Sequence, residues 1–301
     1  MGQFAERLAE LVRRYGPLCV GLDPQWERLP LAWRTLEKDK PLLEQVSERV
    51  FQFGLRILEL VRPYSRIVKF QAAFFELLGP EGMRTLQRLI QAARQQGWLT
   101  ILDAKRGDIP STATAYALAA LGRCAIDQKM LPIWDADAVT VNPYLGEDAI
   151  TPFVHVAQTS GRGLFVLVRT SNAGAGLFQD LPCGGRPLYE HVAEAVARWN
   201  VPTVSRCGFG DIGAVVGATR PQELAALRQK LTAVWFLVPG YGAQGGTAAD
   251  IRQAAVQADG LGAIVNSSRG VVFAFQPEDP QWEQAIQLAA QKACHELKSS
   301  T

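Results

Sequence analysis

Short apolar runs, each ending in polar or glycine-rich residues, recur along the chain at Leu18–Leu22, Ile67–Phe70, Leu99–Leu102, Ala138–Val141, Leu164–Val168, Ala214–Val216, Trp235–Val238 and Ala263–Val265. Most are continuously apolar rather than alternating, as expected of parallel strands buried on both faces. Between them, apolar residues recur at helical spacing. Val50, Phe53, Ile57 and Val61 share one face, as do Met83, Leu86, Ile90 and Ala93. So do Leu188, Val192, Val196 and Trp199; Leu224, Leu227 and Leu231; and Trp282, Ile286, Ala289, Ala293 and Leu297. Strands and helices in alternation predict an α/β fold with a parallel sheet. Eight such units in about 250 residues match a (β/α)8 TIM barrel, with an open doubly wound sheet as the alternative. No shift in composition marks a second domain, so a single domain over residues 1–301 is expected. Two long segments read as loops: Pro24–Pro41, rich in tryptophan, proline and charge, and the glycine-rich Thr170–Arg186, expected to be mobile over a site.

Composition narrows the classes. The chain has 301 residues, of which 48% are hydrophobic, enough for a large core. Charged residues make up 20% and the net charge is +2, which gives no polybasic surface for nucleic acid. Five scattered cysteines, with no C-x-x-C, suit reduced thiols better than a disulfide framework. The first residues lack a signal-peptide apolar stretch. Glu6 stands where a myristoylation signal needs Ser or Thr. No apolar run reaches membrane-spanning length. A cytoplasmic protein without membrane or nucleic-acid partners is expected.

In a barrel, catalytic groups come from the C-terminal ends of several strands. Here those ends carry Asp23, then Lys69 and Gln71, then Asp103-Ala104-Lys105-Arg106-Gly107-Asp108, then Asn142-Pro143-Tyr144, then Arg169 to Asn172. The last two are Gly240 to Gly246 and Asn266 to Gly270. Few polar groups are expected at the opposite rim. Charges at strand ends cost desolvation energy unless they pair or do chemistry. Alternation points Asp103 and Lys105 to the same side, within reach of Lys69 on the neighbouring strand. Other readings stay open: Asp103 and Lys105 as an ordinary ion pair, and Asp108 as the cap of a helix beginning near Pro110.

The loops after the seventh and eighth strands are where barrels commonly bind phosphate, through backbone N–H groups and a short helix. Gln244 can donate an amide hydrogen bond there and Arg269 can bind bidentately; alternatively, the glycines only form turns and Arg269 is a surface charge. A metal site is not expected. None of His155, His191 and His295 has ligand spacing, and nearby lysines compete for Asp103 and Asp108. Nucleophilic triads and a dinucleotide fingerprint are missing.

Together these residues resemble the orotidine 5′-monophosphate decarboxylase family, in its longer bacterial branch, from Leu18 to Arg269. Its D-x-K-x-x-D signature is matched by Asp103, Lys105 and Asp108, and its upstream lysine by Lys69. The resemblance implies that Asp23 contacts ribose, Ser171 the pyrimidine, and Gln244 and Arg269 the phosphate. It implies a homodimer in which Asp108 and Thr112 reach the neighbouring site. The implied reaction is loss of CO2 from C6 of orotidine 5′-monophosphate, the last step of de novo UMP synthesis. Lys105 would stabilise and protonate the C6 carbanion, with Asp103, Lys69 and Asp108 completing the catalytic set, and no cofactor or metal would be required. Two alternatives are a Mg-dependent sugar-phosphate decarboxylase or synthase of the same suprafamily and a non-catalytic nucleotide-binding barrel.

Overall fold

The computed structural model describes residues 3–242 and 246–298. Among them, eight parallel strands close a barrel in sequence order. They are β1 (Leu18–Leu22), β2 (Ile67–Gln71), β3 (Leu99–Arg106), β4 (Ala138–Val141), β5 (Gly163–Arg169), β6 (Ile212–Val216), β7 (Phe236–Val238) and β8 (Ala263–Ser267). Closure is made by β8 on β1, with Leu18 opposite Val265 and Cys19 opposite Asn266. The TIM barrel expected from the sequence is the observed architecture, and all eight apolar runs are its strands.

Each run is apolar throughout because it is buried twice. Val20, Val68, Phe70, Leu102, Val139, Val141 and Val166 face outward into the layer shared with the helices. Ile67, Leu99, Ile101, Ala138, Phe165, Trp235, Leu237 and Ile264 fill the interior. An N-terminal helix, α1 (Phe4–Tyr15), closes the bottom of the barrel with Phe4 and Leu8. Phe4 meets Phe165 edge to face at 6.0 Å. A Cβ at position 163 would fall 2.4 Å from the Phe4 ring, so only glycine fits there.

The longer helices that follow are α2 (Leu42–Val61), α3 (Gly79–Gln95), α4 (Pro110–Leu121), α5 (Glu147–Ser160), α6 (Leu188–Asn200), α7 (Pro221–Lys230), α8 (Ala248–Ala255) and α9 (Trp282–Leu297). Two predicted faces are rotated slightly. In α6 the buried residues are Tyr189, Ala193, Val196 and Asn200, and in α9 Ala290 is buried in place of Ala289. The first long loop holds two 3-10 turns, and its Trp33 packs on Phe53 and Trp282. The segment from Thr170 to Arg186 contains a helical turn at Gly176–Gln179 and a small hairpin pairing Pro182–Cys183 with Arg186–Pro187. A second hairpin, Cys124–Ile126 with Lys129–Leu131, lies outside the predicted elements. No helix among the described residues is long and apolar enough to cross a membrane.

One expectation is overturned. The N-terminal rim of the barrel is not poor in polar groups. Asp137 just before β4 is fully buried, and its Oδ1 accepts from Arg7 at 2.7 Å and Arg162 at 2.6 Å. Its Oδ2 accepts from the Thr100 backbone N–H at 2.9 Å and hydroxyl at 3.1 Å. Arg94 and Arg162 also bind Asp135. These arginines come from helices and a strand-entry loop, so a survey of strand ends does not collect them.

Candidate active site

Alternation along β2 and β3 carries the interior from apolar to charged. Above Ile67 stand Lys69 and Gln71; above Leu99 and Ile101 stand Asp103 and Lys105. Register places Gln71 beside Asp103. Asp103 is 5% exposed and is gripped from two sides. Its Oδ2 accepts from Lys69 Nζ at 2.8 Å and from Gln71 Nε2 at 3.0 Å. Its Oδ1 accepts from Lys105 Nζ at 2.7 Å and from the Thr140 hydroxyl at 2.8 Å. Lys69 also stands 3.9 Å from Asp23 Oδ1.

The end of β3 is bent to achieve this. Its register against β4 slips between Leu102 and Arg106. Lys105 adopts φ +47°, a left-handed conformation that costs a non-glycine residue about 1 kcal/mol or more. The Lys105 N–H donates to Thr140 Oγ1 at 2.9 Å, so one threonine fixes both the bend and the carboxylate. Strain held by the surrounding structure is a mark of functional sites.

Burial and charge compete here, and charge wins. Burial alone would push the Asp103 carboxyl up, but Lys69 and Lys105 hold it well below the usual carboxylate range. Burial would likewise favour a neutral Lys69, but Asp103 and then Asp23 keep its ammonium above the usual lysine range. Beneath them, burial pushes the Cys19 thiol up to about 12, so it is an inert packing group. The lysines differ in exposure: the Lys69 side chain is 6% exposed and that of Lys105 44%. Of the two, Lys105 is the more accessible from the cavity.

The cavity above these groups measures about 520 Å3 and is lined by residues from all eight barrel strands or the loops that follow them, with Thr140 from β4. Of the residues singled out from the sequence, Asp23, Lys69, Asp103, Lys105, Ser171 and Arg269 line it. Asp23 Oδ1 and Asn266 Oδ1 are buried there without a hydrogen-bond partner. Gly21 makes room for this corner, since a Cβ on it would lie 1.9 Å from Ser268 Oγ. Asp108 and Thr112 are not among the lining residues of their own chain's cavity. Asp108 does not cap α4, whose N-cap is Ile109; its Oδ1 accepts from the Ile109 N–H at 2.8 Å. Gln244 lies outside the described residues. Among the described residues no three His, Cys, Asp or Glu side chains are placed to hold a metal ion.

Sequence reasoning misses Thr140. Inside Ala138-Val139-Thr140-Val141 it reads as an ordinary β-branched strand former. The available signal is alternation: Ala138 faces the interior, so Thr140 does too.

The chain matches the model of the "Orotidine 5'-phosphate decarboxylase / HUMPS family" over residues 16–280. A relative from Rhodopirellula baltica, named orotidine 5′-phosphate decarboxylase, is 44% identical over 99% of this chain and 100% of its own length. The structure of Leishmania donovani OMP decarboxylase superposes with TM-score 0.74 at 35% identity, covering 98% of this chain and 97% of that one. That of Leishmania donovani UMP synthase superposes with TM-score 0.76 at 36% identity, covering 99% of this chain and 56% of that one. With the family model spanning most of the chain and a full-length relative at this identity, the chain belongs to the orotidine 5′-phosphate decarboxylase / HUMPS family.

Proposed function

We propose that this chain is a carboxy-lyase that converts orotidine 5′-monophosphate to UMP and CO2. The observation that carries the reading is a buried Asp103 clamped by Lys69 and Lys105 at the floor of a cavity of nucleotide size, in a member of this family. The C6–carboxylate bond breaks and its electron pair stays on C6. The pyrimidine ring delocalises that pair poorly, so preorganised charge in the protein must stabilise it. Lys105 faces C6, stabilises the carbanion and delivers its proton as the general acid. Asp103 lies against the departing carboxylate, and Lys69 holds Asp103 in place. The unpartnered oxygens of Asp23 and Asn266 suit sugar hydroxyls. Ser171 faces the pyrimidine, and Gln244 and Arg269 take the phosphate.

The reading extends to a cytoplasmic homodimer. Asp108 and Thr112 stand outside the cavity of their own chain, so a second copy is where they would complete a site. Around that rim Leu77, Ile109 and Tyr144, which follow β2, β3 and β4, are strongly exposed apolar side chains.

The test is the ultraviolet absorbance of orotidine 5′-monophosphate mixed with purified protein, with and without EDTA. Loss of the orotate chromophore with UMP as product, insensitive to EDTA, is the expected result. Turnover only of a sugar phosphate, abolished by EDTA, assigns the chain to the Mg-dependent enzymes of the family. UMP binding without turnover assigns it to nucleotide-binding barrels.

A further inference from the structure

At the end of β5 stands a buried cation that the proposed reaction does not use. Arg169 is 3% exposed, and each of its three guanidinium nitrogens has a partner. Nε donates to Glu223 in the first turn of α7 at 2.7 Å. Nη1 donates to Gln179 Oε1 at 3.1 Å, and Nη2 lies 3.0 Å from Asp180 Oδ1. The group also stands over the Tyr189 ring at the start of α6, 5.6 Å from its centre. The register between β5 and β6 slips at Leu167 to Arg169, so Leu167 lines the cavity and Arg169 does not.

What Arg169 grips is the segment that supplies one wall of the site. Thr170, Ser171, Asn172 and Gln179 all line the cavity. Gln179 is the junction: its Oε1 accepts from Arg169 and from the Thr170 N–H at 2.9 Å, and its Nε2 donates to the Thr170 hydroxyl at 2.8 Å. Gly176 permits this fold, because a Cβ there would lie 2.7 Å from Asp180 Oδ2. A planar fork that serves Glu223, Gln179 and Asp180 at once is something lysine cannot reproduce.

We propose that Arg169 is a positioning residue: anchored on Glu223, it latches the segment from Thr170 to Asp180 over the cavity and so presets Thr170, Ser171 and Gln179 toward the base of the nucleotide. The ligand specificity in this inference rests on the decarboxylase reading; the latch itself does not. A latch of this kind removes an ordering cost from ligands that touch this wall and leaves untouched the phosphate end at Arg269.

The test is Arg169→Lys, with Glu223→Gln as a milder second variant. Chymotrypsin reads the latch without any activity, because Leu177 and Phe178 are exposed in the latched segment and Leu181 is exposed directly after it. Under native conditions the lysine variant is expected to be cut there about tenfold faster than wild type, with its urea midpoint little changed. Unchanged cutting overturns the latch whatever the protein's substrate. For function, kcat/KM on orotidine 5′-monophosphate is expected to fall about 30-fold and UMP affinity about tenfold. Affinity for ribose 5-phosphate should stay within twofold. Parallel loss of both ligands, in step with the urea midpoint, marks a merely structural arginine and overturns the positioning role. If wild type neither turns over the orotate nucleotide nor binds UMP, the decarboxylase reading fails, and the chymotrypsin comparison still decides the latch.

Discussion

Asp103 and Asp137 are both carboxylates buried at barrel-strand ends, and each binds several cations and a threonine hydroxyl. They stand at opposite ends of the barrel and do different work. The cations around Asp137 are arginines, whose charge is permanent and whose planar forks fill the space between α1, α3 and the entry to β5. Through Arg7 that cluster is tied to α1, the helix whose Phe4 and Leu8 plug the barrel interior. The cations around Asp103 are lysines, one of them half exposed at a cavity and held with a left-handed backbone. Lysine, unlike arginine, can give up a proton in an enzyme site. Charge density alone therefore does not mark an active centre. The type of cation and its access to a cavity do; backbone strain does not separate the two ends, because Asp135 in the lower cluster also has a positive φ, +52°.

The comparison is broken most severely at Lys105. Lys105→Ala should lower kcat/KM by about ten-thousandfold or more, since in the proposed reaction it removes both the proton donor and the charge facing C6. The fold should survive, because Asp103 keeps Lys69, Gln71 and Thr140. Steady-state decarboxylation beside a thermal melt checks both parts; appreciable turnover in a folded variant would remove Lys105 from its role.

Asp137→Ala should show the opposite split. It leaves Arg7 and Arg162 without their buried partner, at a cost of about 3–5 kcal/mol in stability. Turnover per folded molecule should stay near wild type, because the residue is absent from the cavity lining. Urea unfolding against active-site titration measures the pair. A stable variant with low activity would mean that the lower cluster is coupled to the chemistry.

Arg269→Ala probes the far end of the upper site. The phosphate is remote from the bond that breaks, so its binding helps only if it drives assembly of the site around the base. The expected loss is about 100-fold in kcat/KM, with free phosphite partly restoring turnover of a truncated substrate by wild type. Absence of that rescue would uncouple phosphate binding from the chemistry.

The difference between the two ends also explains what the sequence discloses. Barrel strands are legible because burial on both faces makes them apolar without interruption. Lys69, Asp103 and Lys105 are legible because they are charges that follow apolar runs at strand ends, where the interior opens to a cavity. Leu99–Leu102 reads as the whole of β3, yet the strand continues to Arg106, carrying Asp103 and Lys105 beyond the apolar run. The lower cluster is illegible by the same rule. Arg7, Arg94 and Arg162 look like surface residues of helices and turns, and only the closed barrel brings them to Asp137. The rotation of α6 has a similar source. Asn200 is buried to accept from the Ile212 N–H and donate to the Ala233 carbonyl, a polar role that hydrophobic periodicity cannot register.

A smaller effect sharpens the contrast further. Asp211, just before β6, is a buried carboxylate of the lower end whose Oδ1 accepts from the Ala5 N–H at 2.8 Å, docking the start of α1. Burial raises its pKa to about 6; the Ala5 bond opposes this and the charge of Glu6 adds to it. Asp103 is shifted the other way. A raised carboxyl is more easily ionised in the unfolded chain, so Asp211 costs stability above pH 6 and the cost is relieved as pH falls from about 6 to about 4. The depressed Asp103 contributes stability that is complete above the ordinary carboxylate range and is lost only as pH drops below about 4. Between pH 7 and 5, therefore, the Asp211 contribution should rise, by about 1 kcal/mol, while that of Asp103 stays flat. Asp211→Asn, which keeps an acceptor for Ala5, should remove this slope and stabilise the protein at pH 7. Urea midpoints of the two proteins from pH 4.5 to 7.5 should converge toward the acid end. Parallel curves would show that Asp211 is already charged in the fold without penalty, and that the lower end holds its carboxylates as securely as the upper.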